Sequence, residues 1–150
     1  MATIPTQRRG ENADADTADG FLGGRLTLRQ PARGHRFGSD AALLAACAPT
    51  DCDGEIMDVG AGVGAVGLAA ASRASRSRAT LVEIDPALCA LALANAQANG
   101  LSERVSVACA DATSAKARRA AGLADGRADV VLSNPPDLDA ENARLSPDGA

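Results

Sequence analysis

The sequence predicts an α/β domain, a parallel sheet of about four strands with helices on both faces, preceded by a strand, a loop and a helix. Three observations carry that expectation. Short apolar runs alternate with longer helical stretches through residues 55–133, a pattern that calls for right-handed crossovers between parallel strands. A glycine-rich turn, "DVGAGVGAVG" from Asp58 to Gly67, joins one of those strands directly to a helix. Acidic residues stand at the ends of successive strands, at the sheet edge where open α/β folds bind their ligands.

At 150 residues the chain makes one domain at most. Residues 1–19 are polar and acidic, lack periodicity and read as a flexible tail, and the domain is expected over residues 20–150. Arg25 to Arg29 alternates as a short strand ahead of a Pro/Gly loop. Ser39 or Asp40 should cap a helix over residues 41–48, stopped by Pro49. Strands are then expected at 55–59, 80–84, 105–108 and 129–133, with helices at 63–72 and 86–99 and a shorter one near 114–123. The helix at 86–99 carries its own punctuation, with Asp85 at the cap, Pro86 in the first turn and Gly100 just past the end.

Composition narrows the class. Hydrophobic residues make up 46% and charged residues 23%, an ordinary globular balance. Phe21 and Phe37 are the only aromatics and nearly a quarter of the chain is alanine, so the core is built from small side chains and is thinly stabilised. One lysine, Lys116, stands against fourteen arginines. Cys47, Cys52, Cys89 and Cys109 form no CxxC pair and no zinc spacing, and His35 is the single histidine. They are expected to be reduced, mostly buried thiols of a cytoplasmic protein that holds no metal. No stretch approaches the roughly 20 apolar residues of a membrane span, and residues 1–20 lack the apolar centre of a secretory leader. A net charge of -4 argues against wholesale electrostatic binding to nucleic acid. Locally, Arg25, Arg29, Arg33, His35 and Arg36 form a basic stretch without an acid, which suits either RNA phosphates or plain solvent.

Two ligands compete for the glycine turn. Gly62, Gly64 and Gly67 spell GxGxxG, which by itself suggests a dinucleotide such as NAD, with Glu83 or Asp85 on the ribose. The acids point elsewhere: Asp58, Glu83 and Asp111 should all face one crevice, and an acid beside a helix N-terminus repels a pyrophosphate. S-adenosylmethionine has no phosphate and carries an ammonium and a sulfonium. On that reading Gly60, Gly62 and Gly64 make room for its methionine part, Asp58 holds the amine directly or through water, and Glu83 accepts both ribose hydroxyls. Asp111 accepts from the adenine amino group or is simply an exposed loop acid.

"DVGAGVG", "LVEID", "CADA" and "LSNPP" occur in the order and spacing of the class I S-adenosylmethionine-dependent methyltransferases, and the chain resembles their small-domain group. The upstream "GGRLTLRQPARGHRFGSDAALLAA" looks like the bacterial branch that methylates the N6 amine of an adenine in the anticodon loop of valine tRNA. The resemblance covers about residues 20–150 and implies an incomplete Rossmann-like methyltransferase fold with strand order 3-2-1-4. A complete domain of the family continues past the fourth strand, so a C-terminally truncated domain is expected, with "VVLS" as an apolar edge and one sheet face uncovered beside it.

The resemblance also assigns chemistry. It places acceptors for the two hydrogens of the substrate amine at the Asn134 side chain and the Pro135 carbonyl, with Pro136 completing the rigid turn. It sets Phe37 and Asp40 beside the cofactor pocket and makes Arg33 and Arg36 candidates for tRNA contact. Where the family has an aromatic ring that stacks on the flipped base, this chain has Asp137. Three functions follow: an adenine-N6 tRNA methyltransferase, a protein glutamine methyltransferase of the same motif type, or an inactive cofactor-binding remnant or interaction module.

Overall fold

The computed structural model describes residues 16–32 and 36–135. It opens with an antiparallel hairpin, β1 (Thr17–Phe21) and β2 (Leu26–Gln30), followed by α1 (Ser39–Cys47). Then come β3 (Glu55–Val59), α2 (Ala65–Arg73), β4 (Arg78–Glu83), α3 (Pro86–Ala98), β5 (Val105–Cys109), α4 (Ala115–Ala120) and β6 (Val130–Ser133). The four later strands form one parallel sheet in the order β5-β4-β3-β6, the expected 3-2-1-4 arrangement.

Alanine governs the packing. All residues of α2 from Ala65 to Ala71 are buried, and this helix packs on α1, β3 and β4. A helix can approach its neighbours on several sides only if its side chains are small, and Leu68, Ile56 and Leu81 supply the bulk between them. The first helical residue is Ala65, two later than expected, because Gly64 adopts a left-handed φ of 88° that a helix interior excludes.

The sequence reading is corrected in three places. Thr17, Ala18 and Asp19 belong to β1 rather than to a tail, since Asp19 accepts from Thr17, Gln30 and Arg36 and so ties the strand down. Residues 1–15 of the expected tail lie outside the described residues. Gly38, not Ser39 or Asp40, is the N-cap of α1, and no side chain caps it. Of the four free cysteines only Cys89 is buried; Cys47 and Cys109 are exposed, the former in the last turn of α1 and the latter at the end of an edge strand.

The β6 strand forms the other edge of the sheet, and Val131 is 62% exposed on it. Among the described residues no helix is long and apolar enough to cross a membrane, and no group of three or more His, Cys, Asp or Glu side chains stands together to hold a metal.

Candidate functional site

Strand register brings the site together. Val59 pairs with Val82 on one side and Ser133 on the other, and Glu83 pairs with Cys109. Chain leaving these strands therefore emerges along one sheet edge, at Gly60, Ile84, Ala110 and Asn134. The turn after β3 is pinned there by two bonds, from the Gly60 and Ala61 N–H groups to the Val82 carbonyl at 2.9 and 3.0 Å.

The glycines divide by direction. Gly60 and Gly62 have φ of 73° and 56°, and a Cβ on either would meet nothing within 4 Å, so both present bare backbone to open space. Gly64 and Gly67 face inward: a Cβ on Gly64 would lie 2.8 Å from Leu81 Cδ1, and one on Gly67 only 2.2 Å from Leu81 Cδ2. The last two glycines of the GxGxxG pattern thus serve helix-on-strand packing. Two clefts meet at Gly60. One, of about 90 Å³, is lined by Phe37, Ala41, Gly62, Leu88 and Asn134. The other, of about 300 Å³, is lined by Glu83, Ile84, Asp111, Thr113, Ser133 and Pro135.

The three acids occupy different stations. Glu83 is 8% exposed; its Oε1 accepts from the Ile84 and Asp85 N–H groups at 2.8 and 2.9 Å, and its Oε2 accepts from Gly62 N–H at 2.8 Å. Three backbone donors hold the carboxylate rigidly between the glycine turn and the end of β4. Asp111 lies in the larger cleft, where its Oδ1 accepts from the N–H and hydroxyl of Thr113, and these bonds hold its pKa below the ordinary value. Asp58 is 1% exposed and lines neither cleft; its Oδ2 accepts from Gly67 N–H at 2.8 Å beneath the turn. Burial pushes its pKa up to about 6, with the Gly67 N–H opposing and the Glu83 charge assisting. In this position it supports the turn from below.

Asn134 follows β6 into the smaller cleft, and its Nδ2 donates to Asp40 Oδ2 at the start of α1. Phe37 lines the same cleft and packs edge-on to Phe21, ring centroids 4.9 Å apart. Within the basic stretch, Arg36 is less available than its sequence suggested. Arg36 donates to Asp19 at 2.8 Å, and also to Thr17 Oγ1 and the Pro31 carbonyl, so an acid from the hairpin occupies it. Arg33, Pro136 and Asp137 lie outside the described residues.

Some lining residues escaped the sequence reading. Thr113, two residues after Asp111, carries the signature of an Asx turn and was legible in principle. Ile84, exposed between Glu83 and Asp85, is a large apolar side chain offered to solvent at a ligand edge. Asp40 was placed near the pocket, but its bond to Asn134 joins residues 94 apart in sequence and had no local signal.

The arrangement suits a ligand with a hydroxylated sugar and a cationic amino-acid part. Gly60 and Gly62 leave space for close approach, Glu83 offers acceptors at the cleft wall, and Ile84 offers an apolar surface beside it. The acids on this edge disfavour a phosphate.

Comparison with known proteins places the chain. Residues 34–145 match the methyltransferase small-domain family. The chain is 34% identical over 116 residues to a tRNA1(Val) (adenine(37)-N6)-methyltransferase of Porphyromonas gingivalis, covering 75% of this chain and 45% of that protein. It is 38% identical over 81 residues to a release factor glutamine methyltransferase of Chlorobaculum tepidum, covering 54% of this chain and 26% of that one. Among solved structures, an RNA methyltransferase of Salinibacter ruber in complex with S-adenosyl-L-homocysteine is similar at a TM-score of 0.51 and 25% identity, covering 65% and 58% of the two chains. A predicted O-methyltransferase of Agrobacterium tumefaciens reaches a TM-score of 0.57 and 39% identity, covering 64% and 48%. The chain thus spans under half the length of the curated relatives named here.

Proposed function

The chain belongs to the methyltransferase small-domain family, and from that premise we propose that it supplies the cofactor-binding part of an S-adenosylmethionine-dependent N-methyltransferase acting on the N6 amine of an adenine in tRNA. The observation that carries the proposal is the Asn134 amide, held by Asp40 in a cleft that opens on the bare glycines. With its nitrogen turned to Asp40, the amide presents its carbonyl oxygen as the acceptor for an incoming amine N–H.

When bound, the cofactor supplies an electrophilic methyl group on a sulfonium. Glu83 accepts the ribose hydroxyls, Gly60 and Gly62 let the amino-acid part lie against backbone, and Asp111 takes the adenine amine. Asp58 balances the ammonium group from beneath the turn. An exocyclic adenine amine is a weak nucleophile because its lone pair is delocalised into the ring. Asn134 Oδ1 and the Pro135 carbonyl accept its two hydrogens, favour a pyramidal nitrogen and aim the lone pair at the methyl carbon. Proline brings no N–H to compete and a fixed φ, and a residue that precedes another proline is restricted in ψ, so the acceptor has little freedom to swing away. No strong base is needed before transfer, because alignment supplies most of the effect. Pro136 adds a second residue without an N–H donor, and Arg33 with the exposed Arg25 and Arg29 of the hairpin meets phosphates of the RNA, a substrate found in the cytoplasm.

A glutamine carboxamide has the same delocalised amine, and the glutamine methyltransferase relative keeps that acceptor in view. The longer overlap with the tRNA-modifying relative favours RNA. Asp137, which offers a flipped base no ring to stack on, favours a chain that binds cofactor without transfer. Calorimetric titration with S-adenosylmethionine and with NAD, followed by labelled methyl transfer to unmodified tRNA and to a glutamine-bearing release-factor peptide, separates these readings. Binding of the first cofactor with label in tRNA is expected; a folded chain that binds NAD or neither cofactor ends the proposal.

A further inference from the structure

The free edge of the hairpin is closed by two asparagine side chains. Asn95 on α3 and Asn99, its C-cap, lie one turn apart, a rise of about 6 Å, and face Arg29 and Thr27 respectively, two residues apart on β2, a spacing of about 6.6 Å. Asn95 Oδ1 accepts from Arg29 N–H at 2.7 Å while its Nδ2 donates to Arg29 C=O at 2.9 Å. Asn99 repeats the pattern on Thr27, at 2.9 and 2.8 Å. Each carboxamide stands in for the N–H and C=O of a neighbouring antiparallel strand.

The two differ in their remaining hydrogen. That of Asn99 goes to the Asn95 carbonyl, inside its own helix. That of Asn95 goes to the Val63 carbonyl at 3.0 Å, in the glycine turn between Gly62 and Gly64. Asn95 is 0% exposed. On the hairpin side the chain passes from Arg29 to the buried Gln30, whose Oε1 accepts from Phe37 N–H at 3.2 Å, and Phe37 lines the smaller cleft opposite the turn.

We propose that Asn95 is a positioning residue that fixes the two walls of the smaller cleft to each other, the glycine turn through Val63 and the Phe37 wall through Arg29 and Gln30. The cofactor role of that cleft rests on the function proposed above; the mechanical link does not. Removing the Asn95 side chain strips the Val63 carbonyl and both Arg29 backbone groups of buried partners, whereas removing that of Asn99 loosens the exposed Thr27 rung and leaves the Asn95 carbonyl still bonded to the Asn99 N–H.

Native-state hydrogen exchange on the full chain tests the link, with Asn95→Ala compared to Asn99→Ala. Loss of one buried partner corresponds to about tenfold faster opening. Asn95→Ala is expected to speed exchange about tenfold in residues 60–64 as well as 27–30, and Asn99→Ala only around Thr27. Titration with S-adenosylmethionine, well below both unfolding midpoints, should show about tenfold weaker binding for Asn95→Ala and wild-type binding for Asn99→Ala. Wild-type exchange of residues 60–64 in Asn95→Ala, or equal effects of the two variants on the turn, overturns the proposal. If Asn95→Ala does not fold, the wild-type chain decides: Arg29 and Gly64 amides must open with the same free energy and Thr27 earlier, and independent opening of Arg29 and Gly64 refutes the link. A wild-type chain that ignores the cofactor removes the functional reading and leaves the exchange result to judge Asn95.

Discussion

Glu83→Gln separates the two duties of one carboxylate. In the native chain Oε1 serves the Ile84 and Asp85 N–H groups and Oε2 serves Gly62 N–H, so three donors converge on two acceptors. A glutamine has one acceptor oxygen. Turned toward Ile84 and Asp85, it points its NH2 at the Gly62 N–H; turned the other way, it loses both of the others. At least one bond to a charged, buried acceptor is lost, at about 1.5–3 kcal/mol. For a chain of this length that is a fall in unfolding midpoint of roughly 3–12 °C. A ribose diol would lose a charged acceptor at the same time, for a further tenfold to hundredfold, approximately, in cofactor affinity. Urea unfolding reads the first effect, provided the m-value is unchanged, and calorimetry with S-adenosylmethionine reads the second. A Glu83→Gln chain with the wild-type midpoint would show that the three N–H groups do not depend on the charge. Wild-type affinity would remove Glu83 from the ligand site.

The glycines give a paired test: Gly67→Ala forces a Cβ onto Leu81 and costs about 1–3 kcal/mol of stability, while Gly60→Ala enters open space at a left-handed φ and costs about 1–2 kcal/mol. Cofactor affinity, measured below both midpoints, should fall for Gly60→Ala and hold for Gly67→Ala; the opposite ranking would refute the division between lining and packing glycines. Asp58 sets a pH dependence. Its folded pKa, raised from 3.8 to about 6, means the native state binds its proton more tightly, so its contribution is full below about pH 4 and is lost as pH rises to about 6. The change is on the order of 3 kcal/mol, and Asp58→Asn should remove most of it; a wild-type-minus-variant difference in urea stability that stays constant from pH 4 to 7 sinks the idea. Asp40→Ala should lower methyl-transfer turnover about fivefold by freeing the Asn134 amide, with cofactor affinity unmoved, and the reverse split would place Asp40 in cofactor binding instead.

Features encoded within a few residues were legible before the structure. The α3 helix starts and stops where Asp85, Pro86 and Gly100 say it should: the Asp85 carboxylate accepts from Ala87 N–H, and Gly100 takes φ of 68°. The β3 strand has the expected bounds, and Glu83, Asp111, Phe37 and Asn134 arrive at cleft walls along one sheet edge. Features that depend on a distant partner were not legible. Thr17 to Asp19 reads as coil and becomes strand because Gln30 and Arg36 converge on Asp19. Asp40 reads as a cap for its own helix, but its carboxylate is engaged by Asn134. Asp58 reads as a ligand-facing acid because it ends a strand, yet strand residues alternate faces, and this one turns under the helix toward Gly67.

Asn95 is the sharpest case, and it bears on how so alanine-rich a chain specifies one structure. In "ALALANAQANG" it stands among alanines, with nothing nearby to mark its distant partners. Small side chains give many near-equivalent packings, because shape complementarity distinguishes register only when there is shape to match. Buried hydrogen bonds between elements restore the distinction. Arg104 reaches the Ala71, Ala74 and Ser77 carbonyls at and just beyond the end of α2, and Arg73 reaches those of Ala45 and Ala48 at the end of α1, while Asn95 joins three elements at once. A guanidinium can bind several carbonyls from one planar fork where an ammonium cannot, so such an architecture uses arginine in a way lysine cannot replace. The cleft inherits its geometry from this polar framework. The same amide that sets the hairpin on α3 also fixes the turn that the bare glycines present.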